Sequence, residues 1–381
     1  MNKGYFDNAA TTLVKPEGMY QFVADYMMNS GTNVGRSNVA TTKSAGALVK
    51  ETRNLLLDLV QAPKTKEVVF LPSATIALNT ILNGITFKEK DTIYLSHFEH
   101  NAVIRTLAKL QKEIDIQIKF LEMNKETLTY DIFAIEKQFT QNPPSLVVLS
   151  HVSNVTGIVA PIERISGLAK VYNSIVVVDG SQACGVVNER VDNKIDYYVF
   201  AGHKTLMSPF GVAGFICDKN TTLPPFIYGG TGIDSANIEM PNYVPERFEA
   251  GSQNIMAIAG LNYSLKWIKE NKEYIQSKEK ENLEILRKLL NKYRFIKIIE
   301  GCGDKVSIIA CSFDGLTSNE AGRVLAEKGV VVRTGLHCAP LAHKFLNSFP
   351  EGLVRFSITC FTDREDFKVL EDALDYIEEE L

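Results

Sequence analysis

The sequence lacks the patterns by which several large classes of protein are recognised. Its six cysteines include no C-x-x-C pair, which argues against a disulfide framework and against a zinc site. No apolar run approaches the roughly 20 residues that a membrane-spanning helix requires, and the polar amino terminus has no apolar core of the secretory kind. We therefore expect a cytoplasmic protein without a metal site or membrane segment, with most of its thiols buried and reduced.

The chain also has no excess of charge of one sign. The formal net charge is −4, and lysines are interspersed with acidic residues, so we expect no nucleic-acid partner. G-x-x-x-x-G-K-[ST] and G-x-G-x-x-G runs are absent, which gives nucleotide binding little support. With 381 residues, 45% of them hydrophobic, the chain is long enough for one large and one small domain.

Short β-rich runs alternate with helical stretches in the first two thirds of the chain. Apolar strands separated by helices predict an α/β fold, with a mainly parallel seven-stranded sheet covered by helices on both faces. Helices are predicted between these strands at residues 75–82, 102–110 and 162–172. The seven predicted strands lie at residues 68–70, 92–95, 116–120, 146–149, 175–178, 197–200 and 212–215.

A change of pattern after residue 254 predicts a domain boundary. From Ile255 to about Lys292 the sequence becomes a long, charged helical stretch. Beyond it, strands and helices alternate as a smaller α/β unit, with strands at 295–299, 306–313, 330–333 and 353–358 and helices at 318–328 and 363–379. We therefore predict a large domain over residues 16–254 and a small domain formed by residues 1–15 and 255–381.

A lysine and a carboxylate end two of the predicted strands. Asp179 follows the run at 175–178, and Lys204 follows the run at 197–200 through Ala201-Gly202-His203. Ligands of parallel sheets gather at the carboxyl ends of the strands. Alone, the lysine would be a surface residue and the aspartate a helix cap or turn residue. Together they favour a pyridoxal phosphate (PLP) site, in which the lysine forms a Schiff base and the carboxylate keeps the pyridine nitrogen protonated.

Two other strand ends carry candidate groups. Residues 70–75, which include Ala74 and Thr75, run from a strand into a helix, where free backbone N–H groups and the helix dipole favour a phosphate. The alternative is an ordinary N-capped helix. His97 and His100 follow the run at 92–95, and either imidazole could lie over the cofactor ring and relay protons, or cap the next helix. Spacing does not choose between the two histidines.

A cysteine near the carboxyl terminus is a candidate nucleophile. Cys338 follows Arg333 and His337 in a glycine-containing loop that ends at Pro340. Such surroundings favour the thiolate, whereas an isolated cysteine would be interpreted as a buried hydrophobic residue. Arg355 lies on a strand-like stretch, where its guanidinium could hold a substrate carboxylate in bidentate geometry. The alternative for this arginine is a structural ion pair.

Taken together, these segments resemble the class V aminotransferase superfamily of fold-type I PLP enzymes, and within it the cysteine desulfurases of the Suf type. The resemblance extends nearly from end to end, and several long motifs occur in the expected order. The matching segments are residues 5–12, 99–100, 151–157, 178–183, 202–204, 247–252 and 333–335.

The resemblance implies a role for each candidate residue around the cofactor. It makes Lys204 the Schiff-base lysine, with Asp179 at the pyridine nitrogen and Gln182 at the ring hydroxyl. His100 would stack on the ring. The phosphate would be held by Thr75, His203, Ser252 and backbone amides near Ala74, where family members commonly carry a hydroxyl residue. The family is dimeric, and Ser252 matches a residue that reaches the phosphate in the partner subunit.

The resemblance also implies the substrate and the reaction. Asn154, Arg333 and Arg355 would surround the substrate, and Cys338 would form a persulfide as L-cysteine is converted to L-alanine. The sulfur would then pass to an acceptor protein or a small thiol. Because the cysteine loop is predicted to be short, the acceptor would have to come to the pocket. In addition, Leu336 stands where Suf-type members often have a histidine.

Three other functions remain open from the sequence. A selenocysteine lyase would use the same fold on L-selenocysteine. A class V aminotransferase, or another PLP lyase, would use the same cofactor site with Cys338 as an incidental residue. The third is a non-enzymatic partner or scaffold protein that retains the fold.

Overall fold

The computed structural model describes residues 3–32, 40–188, 190–233 and 236–380. This part of the chain folds around one seven-stranded and one four-stranded sheet, both covered by helices. Among its helices, none is both long enough and apolar enough to cross a membrane.

The seven-stranded sheet contains all seven strands that the apolar runs predict. They are β1 (Lys66–Leu71), β2 (Thr92–Leu95), β3 (Gln117–Phe120), β4 (Pro144–Ser150), β5 (Ile175–Asp179), β6 (Tyr197–Ala201) and β7 (Ala213–Asp218). Their order is β1-β7-β6-β5-β4-β2-β3. β7 runs antiparallel to both of its neighbours, whereas the other neighbouring pairs are parallel. The predicted α/β class and the mainly parallel sheet are therefore confirmed.

Helices cover both faces of this sheet. They are α1 (Met19–Ser30), α2 (Ala40–Leu59), α3 (Ala74–Gly84), α4 (Asn101–Leu110), α5 (Ile132–Gln141), α6 (Ile162–Val171) and α7 (Ile255–Glu270). In β5, Val176 and Val178 pack into the apolar cluster on one face, and Val177 packs into the cluster on the other. Successive side chains of a strand point to opposite faces, so a strand that is covered twice must be apolar throughout.

The four-stranded sheet belongs to the smaller unit. Its elements are α8 (Lys272–Asn291), β8 (Ile296–Ile298), β9 (Ile308–Phe313), α9 (Ser318–Glu327), β10 (Arg333–Gly335), α10 (Pro340–Phe345), β11 (Leu353–Ser357) and α11 (Arg364–Glu380). The strands are antiparallel, in the order β10-β11-β9-β8. The strand predicted at 330–333 begins only at Arg333, because Val331 instead pairs with Tyr5 in an isolated parallel bridge.

The long helical stretch after residue 254 consists of two helices that meet at Asn271. α7 packs against α1 and α2, and its apolar residues join the core of the large sheet. In α8, Leu286 and Leu290 pack into the core of the small sheet. The division of the chain at residue 254 stays a prediction, and these contacts favour a boundary nearer to Asn271.

Candidate active site

The carboxyl ends of the parallel strands face a loop of the small sheet across a cavity of about 250 Å³. The strand ends, the starts of α3 and α4, the amino-terminal segment and the cysteine loop all contribute to its wall. Of the residues predicted for the site, the cavity is lined by Ala74, Thr75, His100, Asn154, Asp179, Gln182, His203, Lys204, Arg333, Cys338 and Arg355. The fold thus gathers nearly all of the candidates in one place.

Asp179 and Lys204 lie at adjacent strand ends. Asp179 is the last residue of β5, and Lys204 follows β6, which pairs with β5 in parallel. The Asp179 carboxylate is buried and accepts a hydrogen bond from the backbone N–H of Ser181, at 3.0 Å. Burial lowers the pKa of Lys204, and the charge of Asp179 opposes that shift. A lower pKa leaves more of the lysine as the free amine, which is the form that acts as nucleophile and base.

The start of α3 and the ring of His203 together suit an anion. The Ser73 hydroxyl caps α3 by accepting from the N–H of Ile76 at 3.2 Å. The N–H groups at the start of a helix have no partner inside it. The His203 ring stacks on Phe210 at 4.6 Å, and its Nδ1 atom is buried without a hydrogen-bond partner. Burial lowers the pKa of His203 to about 4, so the ring is neutral at pH 7 and can donate one hydrogen bond.

Gln182 and Ser181 line the cavity beyond Asp179. The Gln182 side chain donates a hydrogen bond to the carbonyl of Ala9, at 2.7 Å, and thereby holds the amino-terminal segment against the cavity. The Ser181 hydroxyl oxygen is buried without a partner. Sequence reasoning did not assign Ser181 a role, although its place just after a strand end is the same signal that identified Asp179.

The structure separates the two candidate histidines at the end of β2. His100 lines the cavity and also caps α4, since its Nδ1 accepts from the N–H of Ala102 at 3.1 Å. The neutral ring therefore carries its proton on Nε2. His97 instead stacks between Phe120 and Phe345, at centroid distances of 4.9 and 4.1 Å. Burial lowers the pKa of both histidines, that of His97 to about 4.

Cys338 lies in a tight loop between β10 and α10. Both His337 and Cys338 have positive φ values, 50° and 57°, which are uncommon for residues other than glycine. Nη2 of Arg333 lies 3.5 Å from the Cys338 sulfur. The thiol is partly exposed; of the other cysteines, Cys302 is exposed and Cys184, Cys217, Cys311 and Cys360 are buried.

The expectation that His337 adds positive charge beside the thiol is wrong. Its side chain is buried, with 3% exposed, and its ring contacts His343 and the carbonyl of Arg333. Burial lowers the pKa of His337 to about 3, so the imidazole is neutral near pH 7. The cationic contact with the sulfur comes from the guanidinium of Arg333.

Arg355 forms the structural ion pair that the sequence allowed, and it also lines the cavity, so that its role as a substrate ligand stays a prediction. Only 2% of it is exposed; Nη2 binds Asp7 at 2.6 Å, and Nη1 donates to the carbonyl of Asn154 at 2.8 Å. Its Nε is buried without a partner, as is Oδ1 of Asn154. The sequence analysis assigned Asp7 no role. No local pattern connects Asp7 with Arg355, because 348 positions separate them in the chain.

Ser252 lies apart from the other candidates. It lines two further cavities, one of which it shares with Arg53 and Gly230, and it does not line the cavity of Lys204. Near it, Glu249 forms an ion pair with Arg53 and accepts from the N–H of Phe70 at 2.7 Å. The contribution of Ser252 to the phosphate site of a partner subunit stays a prediction.

The unpaired polar atoms provide a test of whether PLP fits. Four buried side-chain atoms without a partner belong to residues that line the same cavity: Asn154 Oδ1, Ser181 Oγ, His203 Nδ1 and Arg355 Nε. An unsatisfied buried polar group costs about 1–3 kcal/mol, so such a cluster indicates a polar ligand. With an anion site at one end and a carboxylate beside a lysine in the middle, the residues fit PLP and an amino-acid substrate.

Comparisons with known proteins find relatives that extend over nearly the whole chain. The family model described as aminotransferase class-V matches residues 4–370. The cysteine desulfurase of Wigglesworthia glossinidia brevipalpis is 30% identical over 380 residues, which span 95% of this chain and 89% of that protein. A probable cysteine desulfurase of Vibrio cholerae is 28% identical over 384 residues, spanning 97% and 92% of the two chains.

A solved structure shows the same architecture. The apo cysteine desulfurase from Thermococcus onnurineus NA1 has a TM-score of 0.88 and 25% identity, covering 100% of this chain and 95% of that one. The family resemblance and the fold class predicted from the sequence are therefore confirmed.

Proposed function

Because the chain belongs to the aminotransferase class-V family, we propose that it is a PLP-dependent cysteine desulfurase that converts L-cysteine to L-alanine. The observation that carries the proposal is a single cavity lined by Asp179 and Lys204 on one side and by Arg333 and Cys338 on the other. The first pair suits PLP, and the second suits a thiolate nucleophile. The relatives named cysteine desulfurase support the same function.

The residues that would hold the cofactor divide the cavity into three parts. The start of α3 and His203 would bind the phosphate, Asp179 would pair with the pyridine nitrogen, and Gln182 and His100 would contact the ring. When bound, PLP supplies an electron sink for the charge that develops at the substrate Cα.

Arg355, which Asn154 holds through its backbone carbonyl, is suited to bind the substrate carboxylate. Nε of Arg355 is unpaired, and its two other nitrogens are fixed by Asp7 and by the Asn154 carbonyl. The guanidinium is therefore held rigidly before substrate arrives, which lowers the entropic cost of orienting the amino acid. Lys204 can then accept the Cα proton at its Nζ, because burial favours the free amine.

Cys338 carries the sulfur-transfer step. Its thiolate attacks the sulfur of the substrate, a new S–S bond forms, and the C–S bond of the substrate breaks. The electron pair of that bond stays with Cβ, which takes up a proton, so that alanine is released and a persulfide remains on Cys338. Arg333 stabilises the anionic sulfur by its contact with Sγ.

The fate of the sulfur and the assembly belong to the same proposal. Only residues 336–339 separate β10 from α10, so the persulfide has little reach, and an acceptor protein or small thiol must enter the pocket. We propose a homodimer in which Ser252 approaches the partner's phosphate, as the resemblance implies, and a location in the cytoplasm.

The proposal is tested by supplying L-cysteine and PLP to the purified protein. We expect equal amounts of alanine and transferred sulfur, and an added sulfur atom on residue 338 by mass spectrometry. Cys338→Ala should lower alanine production about a hundredfold or more without changing the visible spectrum of the bound cofactor. Cys302→Ala, which removes the exposed cysteine, is the matched control.

Two results would overturn this assignment: no alanine from the wild-type protein, or full activity of Cys338→Ala. Faster turnover of selenocysteine that is unaffected by Cys338→Ala would favour a selenocysteine lyase. Transfer of the amino group to a 2-oxo acid would favour an aminotransferase.

A further inference from the structure

Two histidines and a serine behind the cysteine loop form a continuous hydrogen-bonded chain. His337 Nε2 lies 3.2 Å from the carbonyl oxygen of Arg333, and its Nδ1 lies 3.1 Å from His343 Nε2. His343 Nδ1 in turn lies 2.8 Å from the hydroxyl of Ser348. The two rings are stacked at 5.2 Å and both are buried, so water does not compete for these bonds.

With both rings neutral, one arrangement of protons satisfies every contact in this chain. A carbonyl oxygen only accepts, so His337 must carry its proton on Nε2 and accept at Nδ1. His343 must then donate from Nε2 and accept at Nδ1, and the hydroxyl of Ser348 must donate to it. Burial lowers the pKa of His337 to about 3 and that of His343 to about 4, which keeps both rings neutral at pH 7.

At one end, this hydrogen-bonded chain reaches Arg333, which contacts the nucleophile. Arg333 accepts from His337 through its carbonyl and contacts the Cys338 sulfur through its guanidinium. His337 and Cys338 both adopt left-handed backbone conformations, which persist only where the surroundings hold them. From the other side of the loop, Asn154 donates to the His337 carbonyl and the backbone of Asn101 donates to the Cys338 carbonyl, each at 2.7 Å.

We propose that His343 and Ser348 are positioning residues for the nucleophile: they fix the tautomer and orientation of His337, and through it the turn that presents the Cys338 thiol beside Arg333. Neither His343 nor Ser348 lines the cavity, so neither would touch substrate. The part of this inference that concerns sulfur transfer rests on the proposed function. The placement of the thiol can be measured without it.

The sequence spacing makes this arrangement compact. His343 lies on α10, which begins directly after the cysteine loop, and Ser348 follows the end of that helix. The backbone N–H of Ser348 donates to the carbonyl of His343 at 2.9 Å. The hydroxyl is therefore held next to the ring that it orients.

Alkylation of Cys338 by iodoacetamide in the PLP-loaded protein reports on thiol placement independently of turnover. Peptide mass spectrometry distinguishes residue 338, and a Cys302→Ser background removes the other exposed thiol. We expect His343→Leu and Ser348→Ala to slow both alkylation and single-turnover persulfide formation by about tenfold or more. The KM for cysteine and the cofactor spectrum should not change, because the carboxylate and PLP contacts remain.

Conservative variants separate positioning from packing. His343→Gln keeps an N–H donor towards His337, and Ser348→Thr keeps the hydroxyl, so each should restore most of the lost rate. Ser166→Ala, which removes a buried hydroxyl bonded within α6, is the control and should have no effect. Nitrogen-15 shifts of the histidine rings should show His343 as the Nε2–H tautomer in the wild type and a changed population in Ser348→Ala.

The outcomes distinguish the two proposals. Wild-type rates in a folded His343→Leu protein would overturn the positioning role, as would a loss that His343→Gln does not restore. If His343→Leu does not fold, Ser348→Ala decides, and unchanged rates there overturn the role. If the wild type makes no alanine, the proposed function fails. The alkylation rates still decide whether the hydrogen bonds of His343 and Ser348 position the thiol.

Discussion

The two sides of the cavity are built in different ways. On the large-sheet side, Asp179 is the last residue of β5 and Lys204 follows the adjacent parallel strand β6, and both strands are covered on both faces. On the small-sheet side, Cys338 stands in a short loop with two consecutive left-handed residues. Contacts from Asn101, from Asn154 and from the His337–His343 pair hold that loop in place.

The two sides therefore place their reactive groups in different ways. A group at the end of a buried strand is placed by the sheet itself, so few single substitutions nearby should move it. A group in a strained loop is placed by the sum of several weaker contacts, so its reactivity should fall in steps as these are removed. We therefore expect an all-or-none response on the side of Lys204 and a graded response on the side of Cys338.

Lys204→Ala should have the largest effect on activity. Loss of the amine removes both the covalent link to the cofactor and the base for the Cα proton, and a positioned base alone contributes about 10²–10⁴-fold. Alanine production should fall by at least that factor. Borohydride reduction followed by mass spectrometry should find the cofactor on the wild-type protein but not on the variant. Lys109→Ala, on the exposed surface of α4, is the control, and retention of activity by Lys204→Ala would contradict the assignment.

Arg355→Lys should have the second-largest effect, which is weaker binding of the substrate. A lysine cannot make the fixed contacts of a guanidinium, and a hydrogen bond to a charged group contributes about 2 kcal/mol, which corresponds to a roughly 30-fold rise in KM. Steady-state kinetics should show this rise with a smaller change in kcat.

The comparison variant for Arg355 is Asp7→Asn, which leaves the buried guanidinium without its charged partner. We expect a loss of about 3–5 kcal/mol in the free energy of unfolding, with a smaller rise in KM than in Arg355→Lys. An equal rise in KM in the two variants would show that Arg355 is a structural residue only.

Substitutions of the two histidines after β2 should distinguish a residue that acts in the cavity from one that only packs beside it. His100→Asn keeps an N-cap for α4 but removes the imidazole from the cavity, and we expect kcat to fall about tenfold or more. His97→Ala loses its stacking on Phe120 and Phe345, which should cost about 1 kcal/mol of stability and leave kcat within about twofold. A larger loss of kcat in His97→Ala would reverse this assignment.

Glu279→Gln should change stability and leave activity intact. Glu279 is buried on α8, where it accepts from the Ser307 hydroxyl, and burial raises its pKa from 4.5 to about 7. The folded state therefore binds more protons than the unfolded state between those pH values, so wild-type stability falls as pH rises from 4.5 to 7. We expect Glu279→Gln to unfold at higher urea concentration than the wild type at pH 8, and the difference to shrink at pH 5.

The size of that difference is bounded by the shift in pKa and reaches at most about 3 kcal/mol at pH 8. Glu281→Gln, an exposed substitution on the same helix, should change stability by less than about 0.5 kcal/mol at either pH. A pH-independent difference for Glu279→Gln would show that the carboxyl group is not titrating in this range.

The predictions from sequence succeeded where the signal was local. Each of the seven predicted runs became a strand of the large sheet. The central strands were recognisable because a strand buried on both faces must be apolar along its length, whereas the edge strand β3 alternates polar and apolar residues and is only partly buried. The helix predicted at residues 75–82 forms as α3, which starts one residue earlier, at Ala74, and is capped by Ser73. Asp179 was recognisable because it directly follows such a run, and Lys204 because it comes four residues after the next one.

Local sequence patterns did not predict the contacts between segments that are far apart in the chain. Asp7 forms an ion pair with the buried Arg355, yet 348 positions separate the two residues in the chain. His337 was expected to carry charge, but its burial in the folded protein, with the nearby charge of Arg355, lowers its pKa and keeps the ring neutral. Likewise, the choice between His97 and His100 followed from the position of Phe345 on α10, which stacks on His97.

The sequence by itself determined the strands, the helices between them and the polar residues at the strand ends, since these depend on the periodicity of neighbouring side chains. The tertiary structure decided which of those residues share one cavity, which charges are paired and which imidazoles are neutral. These properties depend on burial and on contacts between segments far apart in the chain, which no local pattern encodes.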